Sequence, residues 1–292
     1  MIDKQLLQKR FSKQATSYDK YASVQKKMAH HLIEKLRQHF PMGRTSLRNI
    51  LEIGCGTGYL TALLRENFPD TVITAVDLSS GMIDVATNRF DEHNITFICG
   101  DIEQLELNET FDLIISNATF QWFNHLEETL QKLYHHLNEN GVCTFSTFGD
   151  RTFHELHTSY EHALSKLNIQ TDVRLGQTFY SSEQLEKLCQ DSHNDLPIEV
   201  YVAETEVIEH FPSVREFFKS LKKIGANNSN KGAHIQRPSL FKQLIKTYEN
   251  NYLKNNCLPA TYHCLFATIQ RKEVASIKTM PFNVNRKRSP VL

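Results

Sequence analysis

Three glycines at alternating positions, Gly54, Gly56 and Gly58, follow the apolar run Asn49-Ile50-Leu51-Glu52-Ile53 and precede Tyr59 to Arg65, whose apolar spacing is helical. Glycine admits a positive φ and, lacking a Cβ, lets a ligand approach the backbone closely. A strand ending in such a turn predicts a nucleotide-like ligand above the strand's carboxyl end. The spacing narrows the choice. A dinucleotide fingerprint needs its third glycine three positions after the second, where this chain has Tyr59, and the Gly-Lys-Ser/Thr of a phosphate-cradling loop is absent.

Acidic side chains follow at the ends of the next apolar runs. Thr71 to Asp77 is β-branched and ends in an acid, the position from which doubly wound folds reach ribose hydroxyls. Leu78 continues past it, and Met82, in the next helical segment, flanks an adenine ring or packs in the core. Ile95 to Cys99 leads into Gly100-Asp101-Ile102, where a carboxylate accepts from an exocyclic amine and the following amide donates to a ring nitrogen. Phe111 to Ser116 leads into Asn117-Ala118-Thr119-Phe120-Gln121-Trp122-Phe123. The aromatics of that segment either wall an apolar pocket or cap the core.

The elements that must position these residues alternate strand and helix from Asn49 to Phe148, which predicts a doubly wound α/β fold with a mostly parallel sheet. Two helices are expected over residues 1–40, with Phe11, Ala15, Tyr18, Tyr21 and Ala22, then Val24, Met28, Leu32, Ile33 and Leu36, at three- and four-residue spacing. They cover either the mouth of the glycine loop or a sheet edge. After residue 150 the reading is a helix over 152–168, one from Ser181 to near Cys189, and a strand over 198–208. A helical insertion over 213–255 and a last strand over 261–269 follow. The expected divisions are a helical cap at 1–44, an α/β core at 45–211, the insertion at 212–258 as a lid, a last core strand at 259–272, and a disordered tail at 273–292.

Composition sets the bounds. Lysine plus arginine equals aspartate plus glutamate at 33 each, so no global field draws the chain to nucleic acid or anionic lipid. No run approaches the roughly 20 apolar residues of a membrane span and Met1 to Arg10 is polar, so a cytoplasmic protein is expected. The six cysteines form no Cys-x-x-Cys pair and suit reduced thiols, and the histidine pairs 30–31 and 135–136 diverge around their helices, so no metal site is expected.

Glu52-x-Gly-x-Gly-x-Gly, Asp77, Asp101-Ile102 and Asn117-Ala118 together resemble the class I S-adenosylmethionine-dependent methyltransferases, whose ligand needs no phosphate cradle. That resemblance implies a seven-stranded sheet and cofactor contacts from Glu52, Gly54, Cys55, Gly56, Gly58, Asp77, Leu78, Met82, Asp101, Ile102, Asn117 and Ala118. The Asn/Asp-Pro-Pro-Tyr/Phe motif of amino-methyltransferases is replaced by Asn117-Ala118-Thr119-Phe120, which disfavours an amine acceptor.

A narrower likeness spans residues 11–271. Phe11, Ala15, Tyr18-Asp19, Ala22, Gln25, Gly100-Asp101-Ile102-Glu103, Ser220-Leu221-Lys222, Ile224-Gly225-Ala226 and Thr261-Tyr262-His263 are similar to the malonyl-acyl carrier protein O-methyltransferases of biotin synthesis. The likeness implies methylation of the malonyl carboxylate and an acyl carrier protein as partner. Arg174 and Lys222 are the candidate cations for that carboxylate, with Tyr18 as a hydrogen-bond donor and His263 as a further candidate. Lysines and arginines of the insertion offer a face to an acidic carrier, or are simply solvated. Methylation of another small acid or a quinol, and cofactor binding without turnover, are the alternative readings.

Overall fold

A computed structural model describes residues 1–39, 47–91, 93–172, 175–193, 196–225 and 237–272. Residues 40–46, Arg174 and the tail beyond 272 lie outside the described residues. The elements run α1 (Lys4–Tyr21), α2 (Ser23–His39), β1 (Asn49–Ile53), α3 (Tyr59–Asn67), β2 (Val72–Asp77), α4 (Ser80–Thr87), β3 (Ile95–Cys99), β4 (Phe111–Asn117), α5 (Leu126–His135), β5 (Leu137–Phe148), α6 (His154–Lys166), α7 (Ser182–Asp191), β6 (Ile198–Phe211), α8 (Val214–Lys223), α9 (Pro238–Tyr252) and β7 (Leu258–Arg271).

The sheet has seven strands in the order β3-β2-β1-β4-β5-β7-β6. Strands β1 to β5 pair in parallel, and β7 runs antiparallel to both β5 and β6. The order reverses direction at β1, so the carboxyl ends of β1, β2 and β4 face one crevice, the usual ligand position in such sheets. Central strands β1 and β4 are buried on both faces over most of their length and are largely apolar, with Glu52 and Ser116 among the buried exceptions.

Each face of the sheet has its own core. One is filled by α2 and α3, where Val24, Met28, Leu32, Ile33 and Leu36 form the buried stripe that their spacing predicts. The other is filled by α5 and α7 through Leu130, Leu133, Leu185 and Cys189. A third cluster joins α6, α8 and α9 to the start of β7, around Tyr160, Phe217, Leu244 and Tyr248.

Helix α1 packs across α4. Its start is capped by Asp3, whose carboxylate accepts from the Leu6 amide at 3.0 Å. The approach is close enough that a Cβ on Gly81 would lie 2.8 Å from the Ser12 backbone.

Candidate active site

The glycine turn is built by backbone geometry. Gly54, Gly56 and Gly58 have φ of 71°, 56° and 80°, a region costly for residues with a Cβ. Amides of Gly54 and Cys55 donate to the Val76 carbonyl at 2.7 and 3.1 Å, tying the turn to the end of β2. A Cβ on Gly54 would collide with the Thr119 hydroxyl at 2.0 Å, and one on Gly58 with the Phe90 ring at 2.8 Å. Around Gly56 nothing lies within 4 Å of the Cβ position. Packing as well as φ therefore calls for glycine at 54 and 58, whereas at Gly56 the left-handed φ alone does and the Cβ position is open.

That space opens into a cleft at the strand ends, about 700 Å³ when counted out into open solvent. Its floor is the strand ends and its roof is α1. It brings together Tyr18, Gly54, Gly56, Asp77, Leu78, Met82, Asp101, Ile102, Asn117 and Ala118, with Trp122 and Phe123 as an aromatic wall. A smaller adjoining cleft shares Tyr18, Gly54, Gly56 and Asn117 and adds Cys55. Phe120 instead stacks on Phe145, with ring centroids 4.1 Å apart.

Asp77 organises the loop as well as the cavity. Its carboxylate accepts from the Gly56 amide at 2.9 Å and the Ser79 amide at 2.8 Å, one on each oxygen. Burial pushes its pKa up to about 6, against the lowering effect of those two amides. Asn117 and Ala118 close the far wall. Ala118 has a φ of 51°, unusual for a side-chain-bearing residue, and is held there by its amide donating to the Ser146 carbonyl and hydroxyl at 3.0 Å each.

Glu52 lines neither opening. It lies 1% exposed beneath the turn, where the Thr61 hydroxyl donates to Oε2 at 2.6 Å and Oε1 has no partner. Burial, with a smaller push from Asp77, raises its pKa to about 8. Gly58 likewise lines neither opening and starts α3.

The acceptor-side candidates separate. Tyr18 lines the cavity, and burial, then the charges of Asp77 and Asp19, raises its pKa, so its hydroxyl stays a donor. Lys222 is exposed on the last turn of α8 and lines neither opening. His263 is likewise elsewhere, because β7 carries it into the sheet at 0% exposure. There its Nδ1 lies 3.3 Å from both the Arg151 amide and Asp150 Oδ1, and its Nε2 lies 3.1 Å from Glu204 Oε2. Both nitrogens are committed to structure, so the pairing seen in Thr261-Tyr262-His263 marks a packed network. Among the described residues the cover expected of the insertion comes from α1, since the apolar faces of α8 and α9 are spent on α6 and β7.

Sequence reasoning missed the first turns of α1. Lys4, Leu7, Gln8 and Phe11 line the cavity together with Tyr18. Lys4 bridges Asp101 at 3.2 Å and Glu103 at 2.6 Å, and Gln8 donates to the Leu78 carbonyl at 2.9 Å. Burial would raise Glu103, but Lys4 and the amides of His125 and Asn124 prevail and hold it below the usual carboxylate range. The detectable signal was a helical stripe at 4, 7, 8, 11 and 18, beginning before the apolar count at Phe11.

The donor set fits S-adenosylmethionine. The Asp77 carboxylate beside a glycine cradle suits a ligand carrying positive charge and a ribose diol, while Glu52, with an unpartnered oxygen, lies beneath the turn. Among the described residues no group of three or more His, Cys, Asp or Glu side chains could hold a metal, and no helix is long and apolar enough to cross a membrane.

Residues 50–141 match a family model described as a methyltransferase domain. The malonyl-[acyl-carrier protein] O-methyltransferase of Priestia megaterium (strain DSM 319 / IMG 1521) is 50% identical over 93% of this chain and 99% of its own. That of Bacillus anthracis is 49% identical, also over 93% of this chain and 99% of its own. Among solved structures, the plantazolicin methyltransferase BpumL in complex with a triazolic desmethylPZN analog and SAH superimposes with a TM-score of 0.54 at 17% identity, over 92% of this chain and 96% of that one, a likeness of fold. By its sequence relatives, the chain belongs to the malonyl-[acyl-carrier protein] O-methyltransferase family of class I methyltransferases.

Proposed function

We propose that this protein transfers a methyl group from S-adenosylmethionine to the free carboxylate of a malonyl thioester carried on an acyl carrier protein, in the cytoplasm, giving the methyl ester that primes pimeloyl chain synthesis for biotin. The observation that carries the reading is the absence of a general base among the described residues lining the cavity. Its titratable lining residues are Lys4, Tyr18, Asp77 and Asp101. Lys4 and Asp101 are paired with each other, Asp77 holds two backbone amides, and Tyr18 keeps its proton. A hydroxyl acceptor would need a base, whereas a carboxylate is already ionised at neutral pH.

When bound, S-adenosylmethionine supplies an electrophilic methyl, which the acceptor takes as its oxygen–carbon bond forms and the sulfur–carbon bond breaks, leaving a thioether. Asp77 would hold the ribose through the lone pairs its two amides leave open. Asp101 and the Ile102 amide would hold the adenine edge, with Met82 lining the same cavity. Glu52 holds α3 under the glycine turn through Thr61. Tyr18 donates to the acceptor carboxylate without adding a full positive charge that would quiet the nucleophile. Arg174 is the proposed cationic partner by its chemistry, and Lys222 is not retained in that role.

Alignment of the reacting atoms carries the acceleration, for which well-oriented systems gain about 7–11 kcal/mol. Tyr18→Phe and Arg174→Ala are each expected to raise the acceptor KM or lower kcat/KM. A lost charge-assisted bond of roughly 1.5–3 kcal/mol corresponds to about 10- to 150-fold. S-adenosylhomocysteine binding, followed by calorimetry, should persist in both variants. Unchanged acceptor kinetics in both would refute the anion-site assignment.

A further inference from the structure

Charge on this neutral chain is segregated by helix face. On α1 the exposed positions Lys9, Lys13 and Lys20 lie on one solvent stripe with Gln5 and Thr16, and on α8 the exposed Arg215, Lys219, Lys222 and Lys223 share another. The two helices pack together, with Gly225 against the Phe11 ring and the Arg10 backbone. The stripes meet at Tyr21, whose ring centroid lies 5.8 Å from Lys20 Nζ and 5.7 Å from Lys223 Nζ. Acids on these helices leave the ridge basic. Asp19 is held by the Thr57 hydroxyl and Arg89 inside the glycine loop, and Glu216 is taken by Lys219.

Position gives the ridge its meaning. The opposite side of α1 presents Leu7, Phe11 and Tyr18 to the cavity, so the lysine stripe is the outer surface of the cavity roof. A partner docked there stands one helix thickness, about 10–12 Å, above the cavity. That distance suits an acceptor delivered at the end of a flexible arm, and clustered like charge suits a partner whose surface is acidic.

We propose that the outer faces of α1 and α8, meeting at Tyr21, form the docking surface for the acidic carrier protein that presents the malonyl thioester. This inference rests on the malonyl-carrier reading above, and its test separates the two. Lys20→Glu/Lys223→Glu is compared with the unaltered protein on two acceptors, malonyl-carrier protein and the malonyl thioester of N-acetylcysteamine, which has no protein and no phosphate. The expected result is an increase of about tenfold or more in KM for the carrier substrate, with the small thioester methylated at the unaltered rate. In the unaltered protein, the carrier KM rises with added salt and the small-thioester KM does not.

An unchanged carrier KM overturns the docking assignment, as does equal loss on both acceptors, which would place the lysines in the fold of the site. If neither acceptor is methylated, the proposed function fails independently. The docking surface is then tested by fluorescence anisotropy of labelled holo-carrier protein, whose binding the double substitution should weaken by about tenfold. Equal affinity in the two proteins, or equally tight capture of a DNA duplex of matched charge, refutes the surface.

Discussion

Asp77→Asn is the substitution with the most closely specified outcome. In the native protein each carboxylate oxygen accepts one amide, from Gly56 or Ser79, and keeps lone pairs for a ligand hydroxyl. Asparagine retains one acceptor and turns an NH2 toward the other amide, so one backbone donor and one ligand hydroxyl lose their partner. At about 1.5–3 kcal/mol for a bond to a charged group, the affinity for S-adenosylhomocysteine should fall about 10- to 150-fold. The fold should survive, because the Gly54 and Cys55 amides anchor the turn to Val76 independently.

The same residue predicts a pH dependence. Its pKa in the free protein is about 6, and hydroxyl donors from the ligand favour the ionised form, so binding releases a proton below that value. Affinity should therefore weaken as pH falls through about 6, by up to about tenfold per unit, and the Asn variant should lack that limb. Titration calorimetry across this range reads both effects. Native-like affinity in the variant, or the same low-pH limb in both proteins, would show that Asp77 does not contact the ligand.

Glu52→Gln addresses stability. The folded pKa of about 8 lies above the ordinary 4.5, so the folded state keeps a proton that the unfolded chain releases across that window. Stability is full below the ordinary value and is lost as pH rises to about 8, so the native Tm should fall across the window while the Gln variant stays flatter; parallel curves would contradict the burial argument. His263→Gln should lower stability by about 1.5–3 kcal/mol for each charge-assisted bond lost while leaving kcat intact below the transition, as denaturant melts and rate measurements check. A kcat loss without destabilisation would return His263 to the site.

The strand-end floor of the cavity was legible because its signals are local. Gly54 to Gly58, Asp77 and Asp101-Ile102 each sit within a few residues of a strand end, and a parallel sheet gathers strand ends in one place. The roof was less legible. Lys4 and Gln8 meet partners 97 and 70 residues away, and nothing near them in sequence names Asp101 or Leu78. His263 misled for the opposite reason. Its position beside Thr261 and Tyr262 is equally well explained by its bond to Glu204 on β6. Strand limits were least certain at the antiparallel edge, where β6 extends to Phe211 and β7 begins at Leu258. Half-exposed residues such as Tyr201 and Ile208 there give no unbroken apolar run to mark an end.

The central claim is that the acceptor is the malonyl carboxylate. The direct measurement is transfer of a labelled methyl group from S-adenosylmethionine to malonyl-carrier protein, followed by alkaline treatment of the product. The account predicts a labelled, base-labile ester on the malonyl group, with acetyl-carrier protein unlabelled because it lacks the free carboxylate. Label that resists alkali, or no transfer to any malonyl thioester, would contradict it.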